Sequence, residues 1–141
     1  MIKFVHMKND LYSQIQKALK ASSEILAAYV IGSTVSKRFT SESDFDLVVV
    51  AQNREAVGDD KVYELIRDIK FPRNLDLSVV DKSSSPIFLY QTVAKGERIY
   101  VKEKSQADNF EAFVLHNYYD TSHLRNIYDK HLREKFSSYA D

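Results

Sequence analysis

The chain has no cysteine among its 141 residues, only three glycines and two prolines, and no net charge at pH 7. Without cysteine there is no disulfide framework and no thiolate metal centre, a composition that fits the reducing cytosol. Scarce glycine and proline argue against a flexible linker or a low-complexity segment. The twenty basic residues are balanced by twenty acidic ones. No bulk charge therefore draws the chain to nucleic acid or to an anionic membrane, and a polymerase-type role on long DNA is disfavoured. No apolar run approaches membrane-spanning length, and the opening M-I-K-F-V-H-M-K-N-D is too weakly apolar for a signal peptide. What is present is an ordinary globular composition, 44% hydrophobic and 28% charged, long enough for one domain with a real core.

Hydrophobic periodicity divides the chain into alternating helices and strands. Asn9 or Asp10 is expected to cap a first helix, with Leu11, Ile15, Ala18 and Leu19 on one stripe to about Ser22. Ile25 to Ile31 reads as a buried strand, and a second strand opens at Phe45. Gly58-Asp59-Asp60 precedes a helix carrying Val62, Leu65, Ile66 and Ile69. Leu75 to Val80 is a third strand, with Leu75, Leu77 and Val79 on one face and Asp76, Ser78 and Val80 on the other. Ser84 or Ser85 caps a short helix with Pro86 at its first position, and Gly96 ends it. Arg98 to Val101 is a fourth strand, and Ser105 with Asp108 forms a capping box for a long final helix with a break near Asp120-Thr121. The order predicts an α/β (α+β) fold: a small mixed sheet of about four strands flanked by helices, with a long C-terminal helical segment. Residues 1–104 form the expected core and 105–141 a helical extension of the same domain.

The chemistry concentrates between Tyr29 and Val50, reading Y-V-I-G-S-T-V-S-K-R-F-T-S-E-S-D-F-D-L-V-V-V. A strand ends at Gly32-Ser33, and ten residues later Asp44 and Asp46 open the next. Alternate strand residues share a face, so these two carboxylates project together with Cα atoms ~6.5 Å apart. Such a pair is costly without a cation, and its oxygens suit Mg²⁺, which leaves other positions to phosphate and water. Backbone N–H groups and the hydroxyl at Gly32-Ser33 can hold phosphate oxygens. Either half alone is commonplace, but the four residues at this spacing arise by chance in a chain of this length only about once in 500 from average residue usage. Asp76, embedded in an apolar strand, also calls for a partner or a metal. Asp81 at that strand's end is the fallback.

These residues match the G-S-x10-D-x-D signature of the DNA polymerase β-like nucleotidyltransferases. The chain resembles their short members, the minimal nucleotidyltransferase (MNT) antitoxins of HEPN/MNT toxin–antitoxin pairs. The resemblance implies the nucleotidyltransferase fold and transfer of AMP from ATP, with two Mg²⁺ ions held by Asp44, Asp46 and Asp76, these three being the catalytic residues, and the nucleotide gripped by Gly32 and Ser33. It implies as acceptor a tyrosine of a HEPN ribonuclease toxin, which is thereby silenced, in a hetero-oligomer without membrane or direct nucleic-acid binding. Where many minimal members continue Gly-Ser with a small residue, Arg and Gly, this chain has Val35, Ser36 and Lys37, so Lys37 and Arg38 are the candidate cations for the triphosphate. Two alternatives accompany this reading: an aminoglycoside-type small-molecule nucleotidyltransferase, and a binding-only antitoxin that masks its partner without catalysis.

In the final helix, Phe110, Phe113, Val114 and Leu124 are expected to face inward. Tyr118, Tyr119, Tyr128 and Tyr139 are too many to share that stripe and, with Arg125, Lys130, Arg133 and Lys135 around them, suggest docking to a partner with an acidic rim. The four histidines, at positions 6, 116, 123 and 131, lack carboxylates at metal-ligand spacing and read as surface or partner contacts.

Overall fold

In the computed structural model, residues 2–31 and 44–137 are described, the first six of these by backbone alone. The elements run α1 (Ile2–Leu19), β1 (Ile25–Ile31), β2 (Phe45–Ala51), α2 (Asp59–Ile66), β3 (Leu75–Val80), α3 (Pro86–Lys95), β4 (Glu97–Val101), α4 (Lys104–Asp120) and α5 (Ser122–Ser137). The four strands form one sheet in the order β3-β2-β1-β4. β1 is antiparallel to β2 and β4, whereas β2 and β3 are parallel, which makes the sheet mixed. The parallel pair needs a crossover, and α2 supplies it.

Strand alternation splits the core in two. Phe45, Leu47, Val49, Leu77 and Val79 pack on one face with Leu11, Ile15 and Leu19 of α1 and Val62 and Ile66 of α2. Ala27, Tyr29, Val48, Val50 and Val80 face the other way, against Leu89 of α3 and Ala107, Phe110 and Val114 of α4. Polar contacts fasten both layers. Gln16 of α1 donates to the Ile99 carbonyl at 2.7 Å, and Tyr12 donates to Glu97 at 3.2 Å. On the opposite face the buried Tyr29 hydroxyl donates to Glu111 at 2.5 Å, while Arg98 bridges Asp108 and Glu111 at 3.1 and 3.2 Å. Burial, then the Glu111 hydrogen bond and charge, pushes the Tyr29 phenol well above its ordinary range.

Several local expectations need correction. α1 begins at Ile2 and ends at Leu19, so Asn9 and Asp10 do not cap it but sit on its exposed side. A good capping residue inside a helix is simply a solvated one, and sequence alone does not tell the two apart. α4 starts at Lys104 with Glu103 as N-cap and no side-chain cap bond, placing Ser105 within the helix. Asp108 is engaged by Arg98 instead of in a capping box. β4 begins one residue earlier than expected, at Glu97. The break near Asp120-Thr121 is real: Thr121 has φ −93° and ψ 0°, and its hydroxyl donates to the Asn117 carbonyl at 2.8 Å. Beyond it Leu124 is 57% exposed, not inward, and α5 buries no side chain. A stack holds the α4–α5 corner. The Tyr90 and Tyr118 rings lie 3.9 Å apart, and the Arg125 guanidinium sits 4.0 Å above Tyr118 while donating to the Tyr118 carbonyl at 2.6 Å.

Ser85 caps α3, its hydroxyl accepting from the Phe88 N–H, with Pro86 opening the helix. Gly96 closes it for a reason of space. Its φ of −82° is open to any residue, but a Cβ there would lie 2.4 Å from the Thr92 carbonyl oxygen and 2.8 Å from Ile31 Cγ2. Gly96→Ala is therefore expected to cost about 1–3 kcal/mol, read as a lower urea midpoint at unchanged slope. An unchanged midpoint would show that both the last turn of α3 at Thr92 and Ile31, at the site end of β1, have room to give.

Candidate active site

The parallel pairing of β2 and β3 sets Phe45 opposite Leu75, Asp46 opposite Asp76 and Leu47 opposite Leu77. Because Phe45, Leu47, Leu75 and Leu77 point to the α1–α2 face, Asp46 and Asp76 both project on the α3–α4 face. Each is the second residue of its strand. Asp46 is half-buried, Asp76 exposed, and Asp44 exposed just ahead of β2. Burial pushes the Asp46 carboxyl above its ordinary value, assisted by the charge of Asp76, a hydrogen bond shared with Asp76, and the charge of Asp44. The charge of Arg73 pulls the other way.

Arg73 is the residue that sequence reasoning missed. It lies in the Phe71–Asn74 turn that leads into β3, and that turn is pinned to the head of β2. The Phe45 N–H donates to the Asn74 carbonyl at 2.8 Å, and the Phe45 and Phe71 rings meet at 5.3 Å. The signal was an arginine three residues ahead of Asp76, but only the strand pairing brings it to Asp46. The expected triphosphate cations Lys37 and Arg38, together with Gly32 and Ser33, lie outside the described residues.

Asp81 belongs elsewhere. It follows the far end of β3, 8% exposed, and its carboxylate accepts from the Arg54 N–H at 2.9 Å, the Ser83 N–H at 2.9 Å and the Ser83 hydroxyl at 2.5 Å. Burial raises its affinity for a proton, but the Ser83 hydroxyl, these backbone N–H groups and the Arg54 charge outweigh it and leave the carboxyl below its ordinary value. It ties the loop after β2 to the turn before α3. The D-K-S-S run is the Asx-turn pattern that announces such a clamp.

The donor chemistry of Asp46 and Asp76 suits Mg²⁺, which is commonly held by one or two carboxylates with the remainder left to phosphate and water. Among the described residues, no three His, Cys, Asp or Glu side chains come together as a group that could hold an ion. The described chain thus presents a carboxylate pair with Asp44 flanking it, open to whatever completes the coordination.

The mixed four-stranded sheet flanked by helices is an α/β domain of the nucleotidyltransferase type, with paired aspartates at two strand heads. The chain belongs to the family described as "Polymerase beta, Nucleotidyltransferase", whose model matches residues 13–105. No curated protein matches it in sequence. Among solved structures it is similar to a chain of the MntA–HpeT toxin–antitoxin complex carrying two aspartate-to-glutamate mutations. The two share 18% identity at a TM-score of 0.67, covering 86% of this chain and 98% of that one. A chain of a toxin–antitoxin complex with AMP-PNP shares 20% identity at a TM-score of 0.65, over 86% and 98% of the two chains. A chain from the complex of tri-AMPylated Shewanella oneidensis HEPN toxin with MNT antitoxin shares 18% at 0.63, over 88% and 98%. At these identities the likeness is one of fold.

The two buried or half-buried aspartates should respond to pH in opposite directions. Asp81, held below its ordinary value, stabilises the fold at pH above about 4 and loses that contribution as pH falls through its lowered value. Asp46, pushed up, weakens the fold as pH rises from about 4 through its raised value. Asp81→Asn should cost about 1–3 kcal/mol at pH 7 and progressively less in acid. Asp46→Asn should be neutral or stabilising at pH 7 without metal. Urea titrations at pH 7 and pH 3 read both; equal losses at the two pH values would contradict the Asp81 assignment.

Proposed function

We propose that the chain is a Mg²⁺-dependent nucleotidyltransferase that acts as an antitoxin, moving AMP from ATP to a tyrosine of a HEPN toxin. The observation that carries the reading is the in-register Asp46–Asp76 pair at two strand heads of a polymerase-β-type sheet. The antitoxin role is supported by fold likeness to chains of toxin–antitoxin complexes, one with AMP-PNP and one with a tri-AMPylated toxin.

In this mechanism Asp46 and Asp76, with Asp44 beside them, would hold the divalent ions, which would stabilise charge on the attacking and leaving oxygens. Asp76, on the outer strand, would serve the acceptor side, either as a ligand of the ion that lowers the pKa of the tyrosine hydroxyl or as the acceptor of its proton. Gly32 and Ser33 hold the β and γ phosphates so that the α-phosphate presents its far side to the acceptor. The phenolic oxygen forms a bond to the α-phosphorus, the bond to the bridging oxygen breaks, and pyrophosphate leaves. Residues 1–104 carry this chemistry in the cytosol. α4 completes the core with Ala107, Phe110 and Val114, and α5 is free for the partner.

The test is incubation with α-labelled ATP, Mg²⁺ and the purified toxin. Wild type should label the toxin, while Asp46→Asn and Asp76→Asn should each lose at least about a hundredfold in rate with folding retained. A binding-only antitoxin is the second reading, favoured by the absence of a three-ligand group among the described residues. On that reading Asp46→Asn silences the toxin as well as wild type does, and no label moves.

The α5 stripe of Leu124, Ile127 and Tyr128, each 57–63% exposed, is the proposed toxin-facing surface. Among the described residues, truncation after Thr121 removes no buried side chain but does remove the Arg125 contacts to Tyr118 and Thr121, and it should cost no more than about 1–2 kcal/mol. The shortened protein should retain ATP binding in Mg²⁺ and fail to co-purify with the toxin. Undiminished co-purification would move the docking surface to the rim of the carboxylate site.

A further inference from the structure

We infer that Arg73 is a resident counter-cation, which balances the Asp46–Asp76 pair in the metal-free protein and therefore opposes entry of the divalent ion. The inference rests on the reading that this pair takes Mg²⁺, and it adds a residue to which that reading gives no part.

Three observations bring Arg73 to the pair. The turn that carries it is fixed to β2 by the Phe45 N–H to Asn74 carbonyl bond at 2.8 Å and by the Phe45–Phe71 ring contact at 5.3 Å. The register then places the next strand residues, Leu75 and Asp76, opposite Phe45 and Asp46. Finally, Arg73 Nε is withdrawn from solvent, so the guanidinium stands against the protein rather than waving in water. Its charge reaches Asp46 from there. Two neighbouring carboxylates with Asp44 beside them form a repulsive arrangement that a fold sustains poorly without positive charge. A guanidinium supplies that charge permanently, since it does not lose its proton.

The consequence has a definite sign. A fixed positive charge near a divalent-ion site lowers the affinity of that site, because like charges repel through the same low-dielectric surroundings. Removing the charge should tighten metal binding while weakening the metal-free fold. A side chain that merely braced the site would do the reverse: its loss would loosen the carboxylates and weaken binding.

The experiment uses the full chain and Mn²⁺ as probe, with free Mn²⁺ read by electron paramagnetic resonance in the absence of nucleotide. Arg73→Gln should bind Mn²⁺ roughly three- to tenfold more tightly than wild type. Arg73→Lys, which keeps the charge, should stay within about twofold. The gain should shrink in about 0.5 M salt, as a screened charge effect must. Metal-free Arg73→Gln should melt below wild type and recover on adding Mn²⁺. Arg73→Met serves as a second uncharged variant; the backbone bond and ring contact that hold the turn do not use the Arg73 side chain. Equal or weaker Mn²⁺ binding by both uncharged variants, with wild type still binding, overturns the inference and leaves the metal reading standing. Absence of Mn²⁺ binding in every variant overturns the metal reading itself.

Discussion

The parallel hydrogen-bonded pairing of β2 with β3 is the constraint on which the candidate site depends. Side chains alternate along a strand, so a slip of one residue would send Asp46 or Asp76 into the apolar layer beneath the sheet. What prevents the slip is the core on the other face. Phe45, Leu47, Val49, Leu77 and Val79 are all buried against α1 and α2, and they reach that layer together only in the observed register. The hydrophobic effect acting below the sheet thereby holds two like charges side by side above it. Neither carboxylate contributes to the pairing that aligns them.

That arrangement explains why the site lies at a sheet end. In mid-sheet, α3 and α4 cover this face with Leu89, Ala107, Phe110 and Val114. A pair of ionised carboxylates beneath such a layer would lack both water and partners. At the strand heads none of these side chains is set over the pair, and among the described residues Asp76 and Asp44 are exposed while Asp46 lies half withdrawn. At the opposite end of β3, Asp81 shows the alternative solution: a carboxylate can be buried there because two backbone N–H groups and a hydroxyl saturate it. The same residue type serves a binding role at one end of a strand and a structural one at the other, and the difference is the supply of donors.

Much of this was legible in the sequence, and for a common reason. β1 and β3 have the bounds read from their apolar runs, and the two faces of β3 divide as alternation dictates, because burial acts locally and with a fixed period. The Asp44–Asp46 spacing and the setting of Asp76 in an apolar strand drew attention to these residues, and the register sets Asp46 opposite Asp76. Features that depend on contacts distant in the chain were not legible. Arg73 acquires its neighbour Asp46 only through strand pairing, and Asp108 forgoes a local cap because Arg98 reaches it from β4. Helix starts were misread where capping residues were taken at face value. Asn9, Asp10 and Ser105 favour N-caps equally well as sequence, yet each lies inside a helix that began earlier.

α5 leaves the body of the molecule after Thr121 and returns no side chain to its interior. It is attached through the Tyr90–Tyr118–Arg125 stack and the hydrogen bonds around Thr121, so its orientation depends on a few residues at that corner and its outward surface on almost none. Folding and surface identity are thus separable in this part of the chain. The outward positions of α5 are open to nearly any helix-compatible residue without disturbing the sheet, whereas the aspartates are bound to a register that the whole core enforces. A protein built this way can change what it touches far faster than it can change what it does.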